Sequence, residues 1–269
     1  MRTYQTVGRR GRVCGVYRFD GKVAIVTGGA GGMGRVASVG FGEAGACVVV
    51  ADVSTDGGND TVAEVEAAGG KATFVRTDVS RAGEVEAMVA AAVDTYGRLD
   101  FAVNNAAVAP EFLRLVDCDE DAFDRQVAIN LKGVFLGLKY ELRQLLDQGE
   151  GGAIVNISSV NAVRPQLNSS AYNAVKAGVL ALTKSAAIEY ARNGIRVNAV
   201  CPGAIDTPML QGSIEGQGVD PGQVVKTLSL LGRFGTAAEI ARAVLWLCSD
   251  ESSFTVGHAV AVDGGYLAR

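Results

Sequence analysis

One histidine, one tryptophan and five prolines occur in 269 residues, and the scarcities exclude whole classes of chemistry. His258 sits alone in a valine-rich run near the C-terminus, so most histidine-based acid/base schemes lack their residue; we read it as structural. The five cysteines, Cys14, Cys47, Cys118, Cys201 and Cys248, include no C-x-x-C pair. Neither a disulfide framework nor a metal site is expected from them, and a cytoplasmic location is the simplest reading. No apolar run approaches membrane-spanning length. The net charge of −4 provides no positive field to gather nucleic acid or anionic lipid. Internal repeats, low-complexity tracts and interdomain linkers are also missing.

What remains is 48% apolar, with 35 glycines, a composition suited to one large, turn-rich α/β unit. Residues 1–19 contain Arg2, Arg9, Arg10, Arg12 and Arg18 and no acid. They read as a basic N-terminal extension, expected to be flexible and too poor in apolar residues for a signal peptide. The domain is placed at residues 20–269. Within it, seven β-branched runs, at residues 22–27, 47–51, 72–77, 99–104, 153–158, 195–201 and 259–262, are continuously apolar, which predicts a parallel sheet covered on both faces. Helical patterns fill residues 34–44, 59–68, 83–96, 122–146, 170–192 and 237–247. This is the alternation of a doubly wound, Rossmann-type single domain with a seven-stranded sheet. Residues 207–231 break it: scattered glycines, Pro221 and weak periodicity predict a mobile substrate lid.

The segment Thr27-Gly28-Gly29-Ala30-Gly31-Gly32-Met33-Gly34 follows the first strand and opens a helix. A pyrophosphate needs unpaired helix N-terminal N–H groups and close backbone approach, and glycines supply both. Gly29-x-Gly31-x-x-Gly34 fits the commoner dinucleotide fingerprint as a second register. Asp52 ends the second strand, where an acid meets the adenosine ribose. A carboxylate about 4 Å from a 2′-phosphate opposes it by about 4 kcal/mol per charge at an effective dielectric of about 20, which predicts NAD over NADP.

Tyr172 and Lys176 stand one turn apart on one helix face. A phenol with pKa near 10 is a poor base, and lowering it by about three units takes roughly 4 kcal/mol. An ammonium about 4.5 Å away supplies a little under that. Alone, such a pair is common on solvated helices. Here it accompanies the glycine loop, Asp52, Asp78-Val79, Asn104-Asn105-Ala106, Asn130, Ser158-Ser159 and Pro202-Gly203. Together, in this order and spacing, these residues closely resemble the short-chain dehydrogenase/reductase family over about residues 20–266.

The resemblance implies roles. Tyr172 would be the acid/base, with Lys176 lowering its pKa and holding the nicotinamide ribose. Ser159, rather than Ser158, takes the catalytic serine position, and Asn130 matches an asparagine that positions a water between Lys176 and solvent. Gly28, Gly32, Met33 and Gly34 would cradle the cofactor phosphates. Asp78 would bond the adenine amino group beside Val79, and Asn104, Asn105 and Ala106 would line the adenosine side. Pro202, Gly203 and Thr207 would border the nicotinamide. Asp263-Gly264-Gly265 resembles a segment that packs in family tetramers, so a homotetramer is expected. Two departures are Ala107 and Ala162, each in place of a glycine. Val108, Ala109, Pro110, Phe112, Asn161, Arg164 and Gln166 are candidate substrate-wall residues, with Arg164 either meeting an anionic substituent or facing solvent. The expected function is NAD-dependent interconversion of a secondary alcohol, such as a hydroxysteroid or sugar, and a ketone. Alternatives are a 3-oxoacyl-[acyl-carrier-protein] reductase or a non-catalytic NAD(H)-binding protein.

Overall fold

A computed structural model describes residues 17–269. The expectation for residues 1–16 of the basic extension lies outside the described residues. Phe19, at the end of that extension, is only 5% exposed, and its ring sits 4.8 Å from that of Phe101 and 5.7 Å from that of Phe41.

The strands are β1 (Val23–Thr27), β2 (Cys47–Asp52), β3 (Lys71–Arg76), β4 (Phe101–Asn104), β5 (Gly152–Ile157), β6 (Ile195–Pro202), β7 (Ile205–Asp206), β8 (Gly235–Thr236) and β9 (Ala259–Val262). Seven of them form one parallel sheet in the order β3-β2-β1-β4-β5-β6-β9. β7 and β8 make a separate two-residue parallel pair that the sequence pattern did not announce. The central strands are buried on both faces with strict alternation, whereas the edge strands β3 and β9 are only half-buried. Ala24, Val26, Val48 and Val50 join one core with Phe41, Val65, Ile240 and Val244, while Val23, Ile25 and Val49 join the other with Met88, Leu145 and Val179.

The helices that supply those side chains are α1 (Gly32–Glu43), α2 (Thr55–Ala67), α3 (Ala82–Tyr96), α4 (Glu120–Gln126), α5 (Gly133–Gln148), α6 (Ser170–Tyr190), α7 (Pro208–Gln217), α8 (Pro221–Leu228) and α9 (Ala237–Cys248). α9 opens on a capping box: the Thr236 hydroxyl accepts from the Glu239 N–H, and the Glu239 carboxylate accepts from the Thr236 N–H. Two stretches differ from the periodicity reading. The single helix expected at 122–146 is α4 and α5 joined by a π-helical turn, Val127–Lys132, with Asn130 fully buried in it. The irregular lid expected at 207–231 contains two helices instead, α7 and α8. Each begins with proline after a side-chain cap, Thr207 and Asp220 respectively. Caps formed these helices where apolar spacing was weak.

Strand order reverses between β1 and β4: from β1 the chain adds β2 and β3 on one side, then crosses back to add β4, β5, β6 and β9 on the other. The carboxyl ends of the strands therefore part there and leave a crevice.

Candidate active site

A cavity of about 400 Å³ occupies that crevice. Its floor is made by strand ends and the loops after them: Gly28 after β1, Asp52 closing β2, Asn105 and Ala106 after β4, Ser158 and Ser159 after β5, and Pro202 and Gly203 at β6.

The glycine loop is held by Asn105, whose Nδ2 donates to the carbonyls of Thr27 (2.9 Å) and Gly28 (3.2 Å). Thr27 Oγ1 in turn accepts from the N–H groups of Asn105 and Ala106. Gly28 has φ +65°, and a Cβ there would lie 2.8 Å from Ala106 Cα; one on Gly34 would lie 2.2 Å from the Gly28 carbonyl. A side chain is excluded at Gly28 by the loop after β4 and at Gly34 by the glycine loop's own backbone. Gly31 is different. A Cβ on it meets nothing within 4 Å, so the N-terminus of α1 opens onto the cavity, and its first turn holds no acid. An open, uncapped helix start beside a carboxylate fits the pyrophosphate and ribose of a dinucleotide.

That carboxylate is fixed. Asp52 accepts from the Ala30 N–H (3.0 Å) on one oxygen and the Ser54 N–H (2.9 Å) on the other. Arg35, the cation next to the loop, is committed elsewhere: Nε and Nη2 donate to the Ala30 carbonyl, and Nη1 pairs with Glu64 at 3.1 Å.

At the other end, α6 presents Tyr172 and Lys176 in its first two turns. Lys176 is 2% exposed; its Nζ donates to the Ile157 carbonyl at 2.9 Å and lies 5.6 Å from the centre of the Tyr172 ring. Burial pulls the ammonium down to about 8. Burial also pushes the Tyr172 phenol up to about 12, against a lowering by its hydrogen bond with Ser159. The direction is opposite to the one expected from the lysine alone: the loss of solvation outweighs the Ser159 hydrogen bond, and the phenol keeps its proton. Ser158 and Ser159 separate cleanly. The Ser158 hydroxyl donates to the Lys176 carbonyl at 2.8 Å, whereas Ser159 Oγ accepts the Asn161 N–H and stands in the cavity wall next to Tyr172.

Of the other residues singled out in the sequence, Gly32, Met33 and Thr207 line the cavity. Asp78, Val79 and Asn130 do not. Asp78 accepts from the Ser80 N–H and hydroxyl and pairs with Arg81, which hold its carboxyl below the usual range. Val79 packs where Gly133 has no side chain. Asn130 clamps the backbone of Val108, accepting from its N–H at 2.8 Å and donating to its carbonyl at 3.0 Å. Pro110, Phe112, Asn161 and Gln166 line the substrate side, and Val108, Ala109 and Arg164 are not in its wall. Tyr266, from the C-terminal segment, was missed; nothing local marks a lone aromatic beyond the last strand as a wall residue.

Asn104 is a correction. Read as lining the adenosine side, it is buried beneath it, donating to Glu141 Oε2 (2.9 Å) and Asn156 Oδ1 (3.0 Å). Glu141 is fully buried and its other oxygen has no partner among the described residues. Desolvation raises its pKa from an ordinary 4.5 to about 7. A raised acid contributes nothing against folding below pH 4.5, and its burden grows as pH rises to about 7 and then stays constant, at about 3 kcal/mol. Glu141→Gln is therefore expected to raise the melting temperature at pH 8 by several degrees and leave it little changed at pH 4.5. Thermal unfolding across that range checks it; a pH-independent difference would contradict the assignment.

A family model described as Enoyl-(Acyl carrier protein) reductase matches residues 28–267. The chain is 44% identical over 250 residues to a protein named short chain dehydrogenase/reductase astE from Aspergillus oryzae, covering 93% of this chain and 96% of that one. It is 43% identical over 253 residues to cis-4-hydroxycyclohexanecarboxylate dehydrogenase from Sinomonas cyclohexanicum, covering 93% and 98%. Among solved structures, that of levodione reductase superposes with a TM-score of 0.89 at 37% identity, covering 93% of this chain and 99% of the other.

Proposed function

Because the chain belongs to the short-chain dehydrogenase/reductase family of oxidoreductases, we propose that it interconverts a secondary alcohol and a ketone with NAD as cofactor and Tyr172 as acid/base. One observation carries the reading: a single cavity has Asp52 and the open start of α1 at one end and Ser159, Tyr172 and Lys176 at the other. When bound, the nicotinamide supplies the place to which the carbinol carbon gives its hydride, or from which the carbonyl carbon receives one.

The chain's own residues would hold and move everything else. Gly28, Gly32, Met33 and Gly34 cradle the phosphates, Asp52 bonds the adenosine ribose, and Asn105 with Ala106 borders the adenosine. Pro202, Gly203 and Thr207 border the nicotinamide. In oxidation the substrate hydroxyl proton passes to Tyr172 Oη as the C–H bond breaks and the C=O bond forms. In reduction Tyr172 returns that proton to the new alkoxide oxygen. The Ser159 hydroxyl donates to the same oxygen as its charge develops. Lys176, charged at neutral pH, favours the phenolate when oxidation requires it. Asn130 is a positioning residue, shaping the turn between α4 and α5 that flanks α6 and the water path toward Lys176.

The relative named for a hydroxycyclohexanecarboxylate supports a ring alcohol as substrate. The chain also exposes Phe135 and Leu146 on α5 and Ile188 on α6, apolar side chains that other copies would cover in a homotetramer; no described helix is long and apolar enough to cross a membrane.

The test is a paired assay of NAD and NADP with cyclic, steroid and sugar alcohols and with 3-oxoacyl thioesters. Turnover of a ring alcohol with NAD is expected. Activity confined to NADPH and acyl thioesters would replace this reading with that of a carrier-protein reductase, and tight NADH binding without turnover would leave a nucleotide-binding protein.

A further inference from the structure

The substrate end of the cavity is made of two surfaces. Phe112, Met209, Leu210, Leu228 and Tyr266 form an apolar sleeve. Set into it are the carboxamides of Asn161 and Gln166. Neither carboxamide has a hydrogen-bond partner among the described residues. Asn161 engages Ser159 through its backbone N–H, and Gln166 engages Asn173 only through its backbone N–H and carbonyl. Those main-chain bonds fix where the two amides stand. Asn161 is 6% exposed, yet neither its amide nor that of half-buried Gln166 is among the buried side-chain atoms without a partner, so both groups open onto the cavity. A wall that keeps two of them turned to the cavity offers them to what binds there.

Charge narrows the ligand further. Asp52 and Lys176 are the only charged side chains lining the cavity among the described residues. Asp52 lies at the nucleotide end, and Lys176 is enclosed with its ammonium on the Ile157 carbonyl. Arg164, the cation on the loop between Ser159 and Tyr172, is turned away. It donates to the carbonyls of Tyr266 (3.2 Å) and Arg269 (2.8 Å) and stacks over the Tyr266 ring at 4.9 Å. A carboxylate or phosphate at the substrate end would lose its water with no cation to replace it.

Resting on the site reading above, we infer that the substrate is a neutral alicyclic alcohol or ketone bearing a second oxygen, as hydroxyl or carbonyl, that Asn161 and Gln166 hold. A carboxamide both donates and accepts, so it serves either kind of oxygen. A ring suits the site because it keeps the second oxygen at a set distance from the reacting carbon without freezing rotors on binding.

The experiment uses the full chain with NAD and three probes of similar size: cyclohexanol, cyclohexane-1,4-diol as each isomer, and cis-4-hydroxycyclohexanecarboxylate. In the native protein kcat/KM for one diol isomer is expected to exceed that for cyclohexanol by about tenfold, with the carboxylate slowest. In Asn161→Leu and in Gln166→Leu the diol-to-cyclohexanol ratio should fall by roughly tenfold. The ratio cancels any common damage to Ser159 or to folding, and two separate variants guard against one that fails to fold. Turnover of cyclohexanol with no diol preference, or a preference untouched by both variants, overturns this inference and leaves the alcohol dehydrogenase reading standing. A preferred carboxylate whose turnover is lost in Arg164→Ala overturns it too, by showing that Arg164 swings inward. If none of the three is oxidised while a steroid or sugar alcohol is, this inference falls and the alcohol dehydrogenase reading stands; if no alcohol of the wider panel is turned over with NAD or NADP, that reading falls as well.

Discussion

Tyr172→Phe is expected to lower kcat for ketone reduction and alcohol oxidation by about three to four decades, with the NADH dissociation constant moving less than threefold. The substitution removes one oxygen and keeps the ring that packs near Lys176 Nζ. Nothing among the described residues stands ready to replace that oxygen. His258 is exposed and uses its backbone on Asn198 and Ala199. Cys201 is buried, and burial raises its thiol. Ser159 is a poor proton carrier without a base of its own. Because the enclosed phenol sits at about 12 and the ammonium at about 8, the empty enzyme at neutral pH holds a protonated acid above a charged lysine, which is ready for reduction. Oxidation needs the phenolate, so its rate should climb with pH across the neutral range while reduction does not. Steady-state rates combined with NADH fluorescence titration decide the matter. Retention of more than about a tenth of native turnover would falsify the acid/base role, and parallel loss of binding would point to damaged folding instead.

The second large effect concerns cofactor choice. In Asp52→Ala the ratio of kcat/KM for NADP over NAD should rise by two to three decades, mostly through recovery of NADP. A 2′-phosphate placed beside the native carboxylate meets about 4 kcal/mol of repulsion per charge at an effective dielectric of about 20. The carboxylate has no freedom to swing away, since the Ala30 and Ser54 N–H groups each hold one oxygen. Arg35 does not offset the repulsion, because its guanidinium is spent on Ala30, Gly57 and Glu64. An unchanged ratio would mean that Asp52 does not read the ribose.

Much of the fold could be read along the chain because the relevant physics is local or periodic. Continuous apolar runs such as Val23–Thr27 can be buried only between two helical layers, and they are. The departures share a cause. α7 and α8 form from caps and N-terminal prolines, which window-averaged hydrophobicity does not see. The break between α4 and α5 is a π-helical turn around Asn130, whose amide clamps Val108 from a position twenty-two residues away. The resemblance assigned Asn104 to the nucleotide together with Asn105 and Ala106; as the last residue of β4, Asn104 turns into the core toward Glu141 and Asn156, while Asn105, just past the strand, holds the glycine loop.

By itself the sequence determined the sheet, the glycine loop after β1, and the placing of Tyr172 and Lys176 on one face, since each depends on residues a few positions apart. Tertiary structure decided how hydrogen bonds and charges are shared among distant groups. Arg164 spends its guanidinium on carbonyls 102 and 105 positions along the chain, and Asn104 meets Glu141 across 37. The amides of Asn161 and Gln166 face the cavity unpaired for the same reason: which partner a polar side chain finds is settled by the packing of the whole domain, and no local pattern encodes it.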